Sequence, residues 1–207
     1  MLIGNNPENA VTLTKGVEVS LAKAAEETGT TLKNVTIGLG WDRQAEPGEP
    51  EFDADSVAIV LDKDGKLIPG IMPLIFYNNL TNENGSIVHS KDNRTGEGAG
   101  YDETIQIKFD LIDPKVGMLI IGLSIHGAPA SGQNFGQIDN AMADVVDDAS
   151  GNIAVHIDLT KNLSAATALD AVKFTKEATG TWSCKYTGQK TDGLAGLLTK
   201  YGITFNA

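Results

Sequence analysis

Ile105-Gln106-Ile107-Lys108-Phe109 sets an apolar residue at every second position, with Gln106 and Lys108 between them. Side chains of an extended chain point alternately to opposite faces, so this spacing predicts a strand with one face in a core and the other in water. Outward from it the alternation recurs at Val35, Ile37 and Leu39, at Val57, Ile59 and Leu61, and at Ile153, Val155, Ile157 and Leu159. Less regular segments read as strands from Val11 to Leu13, Val17 to Leu21, Leu74 to Tyr77, Ile87 to His89, Met118 to His126, Ala141 to Val146, Val172 to Thr175 and Trp182 to Tyr186. Gly, Asn, Asp and Pro separate them, and many short strands so spaced predict an all-β sandwich or barrel.

One helix is expected near the end of the chain, where Leu194, Leu197, Leu198 and Tyr201 recur on one helical face. Asp192 suits its N-cap as a side-chain acceptor, and Gly202 suits the left-handed position after the last turn. A shorter helical turn covers Ala22 to Thr28. No composition shift, repeat or Pro/Ser-rich linker divides the sequence, so residues 1–207 read as a single domain.

The chain carries 16 Lys and Arg against 27 Asp and Glu, a formal charge of −11. That excess repels duplex nucleic acid and anionic membranes and favours a cation as ligand. Cys184 is the one cysteine, which rules out intramolecular disulfides and multi-thiolate metal centres. The N-terminus has neither a basic start nor an apolar run, and no apolar stretch approaches membrane-spanning length, so the expected location is the cytoplasm.

Oxygen donors concentrate between Trp41 and Glu103, where Asp42, Asp53, Asp55, Asp62, Asp64, Asn78, Asn79, Asp92, Asn93, Glu97, Asp102 and Glu103 fall mostly in turn-like stretches. Calcium takes six to eight such oxygens from carboxylates, amides and carbonyls on flexible loops, and it tolerates loose geometry better than magnesium does. The same residues are also ordinary turn formers, and acidic loops are commonly only solvated. Asp62-Lys63-Asp64-Gly65 lacks the spacing and flanking helices of an EF-hand and reads as a turn, as does Asn84-Gly85.

Catalytic motifs are not apparent. His89, His126 and His156 lie in or beside strands, where packed or surface imidazoles are expected. There is no G-x-S-x-G elbow, and the glycines around Gly96 lack the helix and Lys-Ser/Thr ending of a phosphate loop. Cys184 reads as a half-buried strand residue near Trp182, without the exposure and basic surroundings of a reactive thiol. Trp41, Trp182, Phe76 and Tyr77 read as packing residues.

Leu39-Gly40-Trp41-Asp42, Phe52-Asp53-Ala54-Asp55-Ser56, Phe76-Tyr77-Asn78-Asn79 and Asp92-Asn93-Arg94-Thr95-Gly96-Glu97-Gly98 together resemble, in order and spacing, the signature of the TerD family of bacterial tellurium-resistance and stress-response proteins. Thr12-Leu13-Thr14-Lys15-Gly16, Phe135-Gly136-Gln137 and Gly193-Leu194-Ala195-Gly196-Leu197 resemble further landmarks, so the likeness covers nearly all of the chain from Val11. It implies a β-sandwich of two antiparallel sheets with calcium-binding acidic loops and no catalytic activity. Carried residue by residue, the resemblance implies metal ligands at Asp53, Asp55, Asn78, Asn79, Asp92, Asn93, Asp102 and Glu103, with Asp42 and Glu97 as additions, for one or two Ca2+ ions.

The departures bear on the second ion. Ala99 and Tyr101 stand where the family commonly has acids, Lys91 where it has Gly, and Gly127 where it has Asp. The resemblance implies an interaction module of a tellurite or stress system, with other tellurium-resistance proteins, one of them membrane-embedded, as partners. The alternative is a structural subunit, host- or phage-encoded, of a homo-oligomer or larger assembly in which calcium only staples the loops.

Overall fold

The computed structural model describes residues 7–43, 52–90, 100–160 and 165–204. In chain order the strands are β1 (Val11–Thr12), β2 (Glu18–Ser20), β3 (Asn34–Arg43), β4 (Ala54–Leu61), β5 (Leu74–Ile75), β6 (Ile87–His89), β7 (Glu103–Lys108), β8 (Met118–Ile125), β9 (Ile138–Asp147), β10 (Ile153–Asp158), β11 (Ala168–Lys176) and β12 (Trp182–Thr191). The helices are α1 (Leu21–Thr28), α2 (Ala128–Ser131) and α3 (Gly193–Lys200). Two six-stranded sheets result. The first runs β1-β10-β9-β3-β7-β6 and the second β2-β12-β11-β8-β4-β5.

The pairing is antiparallel throughout except at one edge, where β1 lies parallel to β10 with Val11 opposite Val155. A two-residue strand entering from the terminus needs no hairpin partner, so its direction is free.

The expected alternation appears plainly in β7, where Glu103, Ile105 and Ile107 are buried and Thr104, Gln106 and Lys108 are half-buried. The inward residues of the two sheets, among them Val35, Ile37, Leu39, Ala58, Ile105, Ile121, Val172 and Phe174, share one core. Strand β4 departs from the half-buried pattern, because all eight of its residues are buried. The far-face residues Val57, Ile59 and Leu61 join a second cluster with Leu74, Phe76 and Ile120, to which α3, lying over β8 and β11, adds Leu197 and Leu198. A Cβ on Gly122 of β8 would come within 3.0 Å of Leu197, so a residue without a side chain is what lets α3 sit close.

Helix α3 begins after Asp192 as expected, and Gly202 takes the left-handed conformation after its end, with φ of 73°. Asp192 does not cap the helix with its side chain, however. Thr167 Oγ1 accepts from the first helical N–H, that of Gly193, at 2.8 Å instead. Buried Asp170 fastens the other end, accepting from Lys200 Nζ and Tyr201 Oη as well as from Thr187 Oγ1 at 2.7 Å.

Asp147, also buried, accepts from the Leu32 N–H at 2.8 Å and from Thr31 and Ser150, pinning the turn between α1 and β3. These donors outweigh the cost of its burial and keep its pKa low. Both turns read from the sequence are present. Asp62 Oδ1 accepts from the N–H groups of Asp64 and Lys66, and Gly85 donates to Asn82 where Thr81 bridges Val88.

Candidate metal site at one end of the sandwich

The register gathers the acidic strand ends. Leu39 opposite Glu103 sets the end of β3 beside the start of β7, and Ala54 opposite Ile125 sets the start of β4 beside the end of β8. Asp42 opposite Asp139 adds the start of β9. The acids Asp42, Asp53, Asp55, Asp102 and Glu103 therefore lie at or beside the ends of strands that share one end of the sandwich.

Period two then separates neighbours. Glu103 shares the inward face of β7 with Ile105 and Ile107 and reaches across the sandwich to β4, where its Oε2 accepts from the Ser56 N–H at 2.5 Å. His89 lies beside it, with Nε2 3.6 Å from Glu103 Oε2. Its Nδ1 lies 2.6 Å from the Ser90 carbonyl oxygen, and its Nε2 lies 2.8 Å from Ser56 Oγ and 2.9 Å from the Ser56 carbonyl oxygen. A carboxylate, an imidazole and a hydroxyl are thus enclosed between the two sheets.

Asp102 takes the other side. Its Oδ2 accepts from the Trp41 N–H at 2.9 Å, and its own N–H donates to the Leu39 carbonyl. Burial, with the charge of nearby Asp42 added, pushes the Asp102 carboxyl up to about 6 despite the Trp41 donor. Asp42 Oδ2 accepts from Asn140 Nδ2 at 2.7 Å, and Asn140 holds a left-handed φ of 51°. Asp42 and Asp139 stand opposite each other in adjacent strands.

Asp55 is buried on the same face of β4 as Val57, with Oδ2 3.5 Å from Nδ1 of the exposed His126. The Asp53 carbonyl accepts from the His126 N–H. Tyr77 meets the His126 ring edge-on at 6.1 Å, which brings the Asn78-Asn79 turn to this corner. Asn79 closes that turn by exchanging backbone hydrogen bonds with Phe76, and its side-chain amide donates to the Leu74 carbonyl at 2.7 Å. Asn78 is exposed.

The predicted ligands therefore share one end but divide among three places: between the sheets, on the outer face of the first sheet, and at the β4–β8 corner. Among the described residues no three His, Cys, Asp or Glu side chains converge on a single point. Asp92, Asn93 and Glu97 lie outside the described residues. Sequence reading took His126 only as a packed or surface imidazole and passed over Asp139 and Asn140. The Asp139-Asn140 pair carried the same oxygen signal but lay beyond the stretch from Trp41 to Glu103.

On the outer face of the first sheet, Asp144 is buried and receives Tyr101 Oη at 2.8 Å and His156 Nδ1 at 2.6 Å. The Asp144 hydrogen bond raises the pKa of His156, against partial burial, which lowers it. A raised histidine pKa contributes stability that is complete below the unfolded value near 6.5 and is lost as pH rises through the folded value. Thermal midpoints measured from pH 6 to 8 should therefore fall more in the parent protein than in His156→Gln. Parallel curves would show that the pair contributes nothing.

Cys184 is completely buried, not half-buried, and burial pushes its thiol pKa up, so it is a packed and unreactive side chain. Trp41, Trp182 and Phe76 are buried as expected. No helix among the described residues is long and apolar enough to cross a membrane.

Residues 9–201 match the family model for the TerD domain. The chain is 40% identical over 195 residues to the tellurium resistance protein TerD of Serratia marcescens, covering 94% of this chain and 98% of that protein. It is 36% identical over 194 residues to general stress protein 16U of Bacillus subtilis (strain 168), covering 93% and 97%. The crystal structure of a homologue of telluride resistance protein (TerD) from Streptomyces coelicolor A3(2) superposes with a TM-score of 0.67 at 23% identity. That match covers 84% of this chain and 99% of the other, and shows a shared fold.

Proposed function

The chain belongs to the TerD family, and from that premise we propose that it is a calcium-binding protein of a cytoplasmic tellurite-resistance or stress system, acting by binding rather than by catalysis. The relatives named for tellurium resistance and general stress support the setting. The observation that supports the ion is placement: Asp42, Asp53, Asp55, Asp102 and Glu103 lie at or beside the ends of strands that meet at one end of the sandwich. Hard carboxylate and amide oxygens on strand ends and loops fit calcium better than a softer metal.

Asp53, Asp55, Asn78, Asn79, Asp102 and Glu103 would hold the ion or ions, together with Asp92 and Asn93. Bound calcium supplies positive charge and coordination that tie the loops to one another. The protein's part is to present charged oxygens from a rigid frame and to offer the ordered end to partners, for which other tellurium-resistance proteins are the candidates.

A ligand held only by the folded state raises its stability, by about 2.7 kcal/mol at a hundred times the dissociation constant. The expected result is a thermal midpoint several degrees higher in calcium than in chelator; equal midpoints would count against the ion. The alternative of a structural subunit draws on Met72 and Leu111, exposed at 54% and 52%, which both lie beside Asn84. Light scattering with and without calcium separates the two readings. A large assembly in both conditions favours the subunit, and a change of state with calcium favours the module.

A further inference from the structure

Thr104, Gly38, Asp144 and His156 form one row across the first sheet, since Gly38 stands opposite both Thr104 and Asp144, and Asp144 opposite His156. Glycine leaves a gap in that row, and the Tyr101 ring fills it. A Cβ on Gly38 would lie at nearly equal distances, 2.4 to 2.5 Å, from three atoms of the ring. A point equidistant from three ring atoms sits on the axis through the ring's centre, so the ring lies face-on to the sheet. One face rests on β3 and the other is turned away from it.

The ring is held in that attitude. Its hydroxyl donates to Asp144 Oδ2 at 2.8 Å, and buried Asp144 has His156 Nδ1 2.6 Å from its other oxygen. Burial, and after it the Asp144 charge, push the Tyr101 hydroxyl pKa up, so the phenol stays neutral.

Beside the ring lies an open cavity of about 340 Å³, lined by Tyr101, Thr104, Gln106, Val88, Ser90 and His89. The His89 ring is turned inward to Ser56 of the opposite sheet. Ser90 Oγ accepts from the Thr104 N–H at 3.0 Å, which leaves its own O–H to donate. Gln106 is fixed by its Nε2, which donates to Asp148 Oδ2 at 2.8 Å, and its amide oxygen remains an acceptor. In a chain of formal charge −11, no Asp, Glu, Lys or Arg lines this cavity among the described residues. The lining therefore suits neither a metal cation nor an anion. A flat aromatic face beside hydroxyl and amide groups suits an uncharged molecule that is apolar on one face and carries hydroxyls around its rim, which describes a pyranose.

We propose that this cavity on the outer face of the first sheet binds a neutral sugar, which stacks on the Tyr101 ring and hydrogen-bonds to Ser90, Thr104 and Gln106. Ligand sites commonly pair such an apolar platform with a few polar groups that fix orientation. The site is separate from the acidic strand ends and does not depend on calcium.

The test titrates isotope-labelled protein, kept in chelator, with cellotriose, maltotriose and N,N′-diacetylchitobiose, and with sialyllactose and adenosine for comparison. Amide and tyrosine-ring shifts are followed in the parent, in Tyr101→Leu, which removes the flat face, and in Thr104→Val, which removes one hydroxyl and leaves the platform in place. The expected result is saturable shifts at Thr104 and Gln106 with at least one neutral sugar. Its affinity should fall by about tenfold in Tyr101→Leu and by about fivefold in Thr104→Val. No saturable shift with any of the three neutral sugars overturns the proposal. So does binding that is unchanged in Thr104→Val and Tyr101→Leu, or tighter binding of sialyllactose or adenosine than of every neutral sugar.

Discussion

Glu103→Ala should lose the calcium response entirely and, in saturating calcium, unfold with about 4 kcal/mol less stability than the parent. Two losses add. The Ser56 N–H, buried between the sheets, loses the carboxylate oxygen 2.5 Å away, and a donor left unsatisfied in such a place costs about 1 to 3 kcal/mol. The stabilisation contributed by the ion, about 2.7 kcal/mol at a hundredfold excess over the dissociation constant, disappears with the ligand. Glu103→Gln separates the two, since its amide oxygen still accepts from Ser56 while the charge is gone. The amide variant should match the parent in chelator and fail to respond to calcium. A full calcium response in Glu103→Gln would remove Glu103 from the ligand set.

Asp170→Ala should cost about 3 kcal/mol and loosen α3, because it takes a buried acceptor from Lys200, Tyr201 and Thr187 together. The effect is larger than that of a surface ion pair because the carboxylate is fully buried while its partners converge from two elements. Leu197 and Leu198 of α3 close the second apolar cluster, with Val57, Ile59, Ile120 and Ala168, so the variant should also bind a hydrophobic dye that the parent excludes. Urea unfolding measures the first effect. A loss under about 0.5 kcal/mol, in the range of ordinary surface substitutions, would contradict the account of how α3 is held.

Most of the strands were legible because β7 and β3 keep one face in the core, and a period of two survives wherever that holds. Helix α3 was legible from its leucine spacing, and α1 from Ala22 to Thr28. What pairs with what was not, since twelve short strands allow many orders and only long-range packing selects one. The double burial of β4 was hidden for the same reason: Val57, Ile59 and Leu61 look half-buried until Leu74, Phe76 and the leucines of α3 are gathered around them.

The candidate site was legible as composition and not as geometry. Asp102 and Glu103 are adjacent in sequence, which reads as a joint ligand pair, but adjacent residues at the start of a strand leave on opposite faces. Burial showed the same limit. Asp144, Asp147 and Asp170 resemble any other acid in the sequence, yet each is enclosed by hydrogen-bond donors and serves the fold. Tyr101 entered the sequence reading only as a departure from the family's acids, because its seat on Gly38 joins residues sixty-three positions apart.

The most direct test is calorimetric titration of chelator-stripped protein with calcium and then with magnesium, repeated on Asp102→Asn. Dissociation constants of roughly micromolar or below for calcium, much weaker magnesium binding and a clear loss of affinity in the variant are the predicted results. No heat and no competition with a calcium dye would contradict the account, leaving the acidic end of the sandwich as scaffold alone.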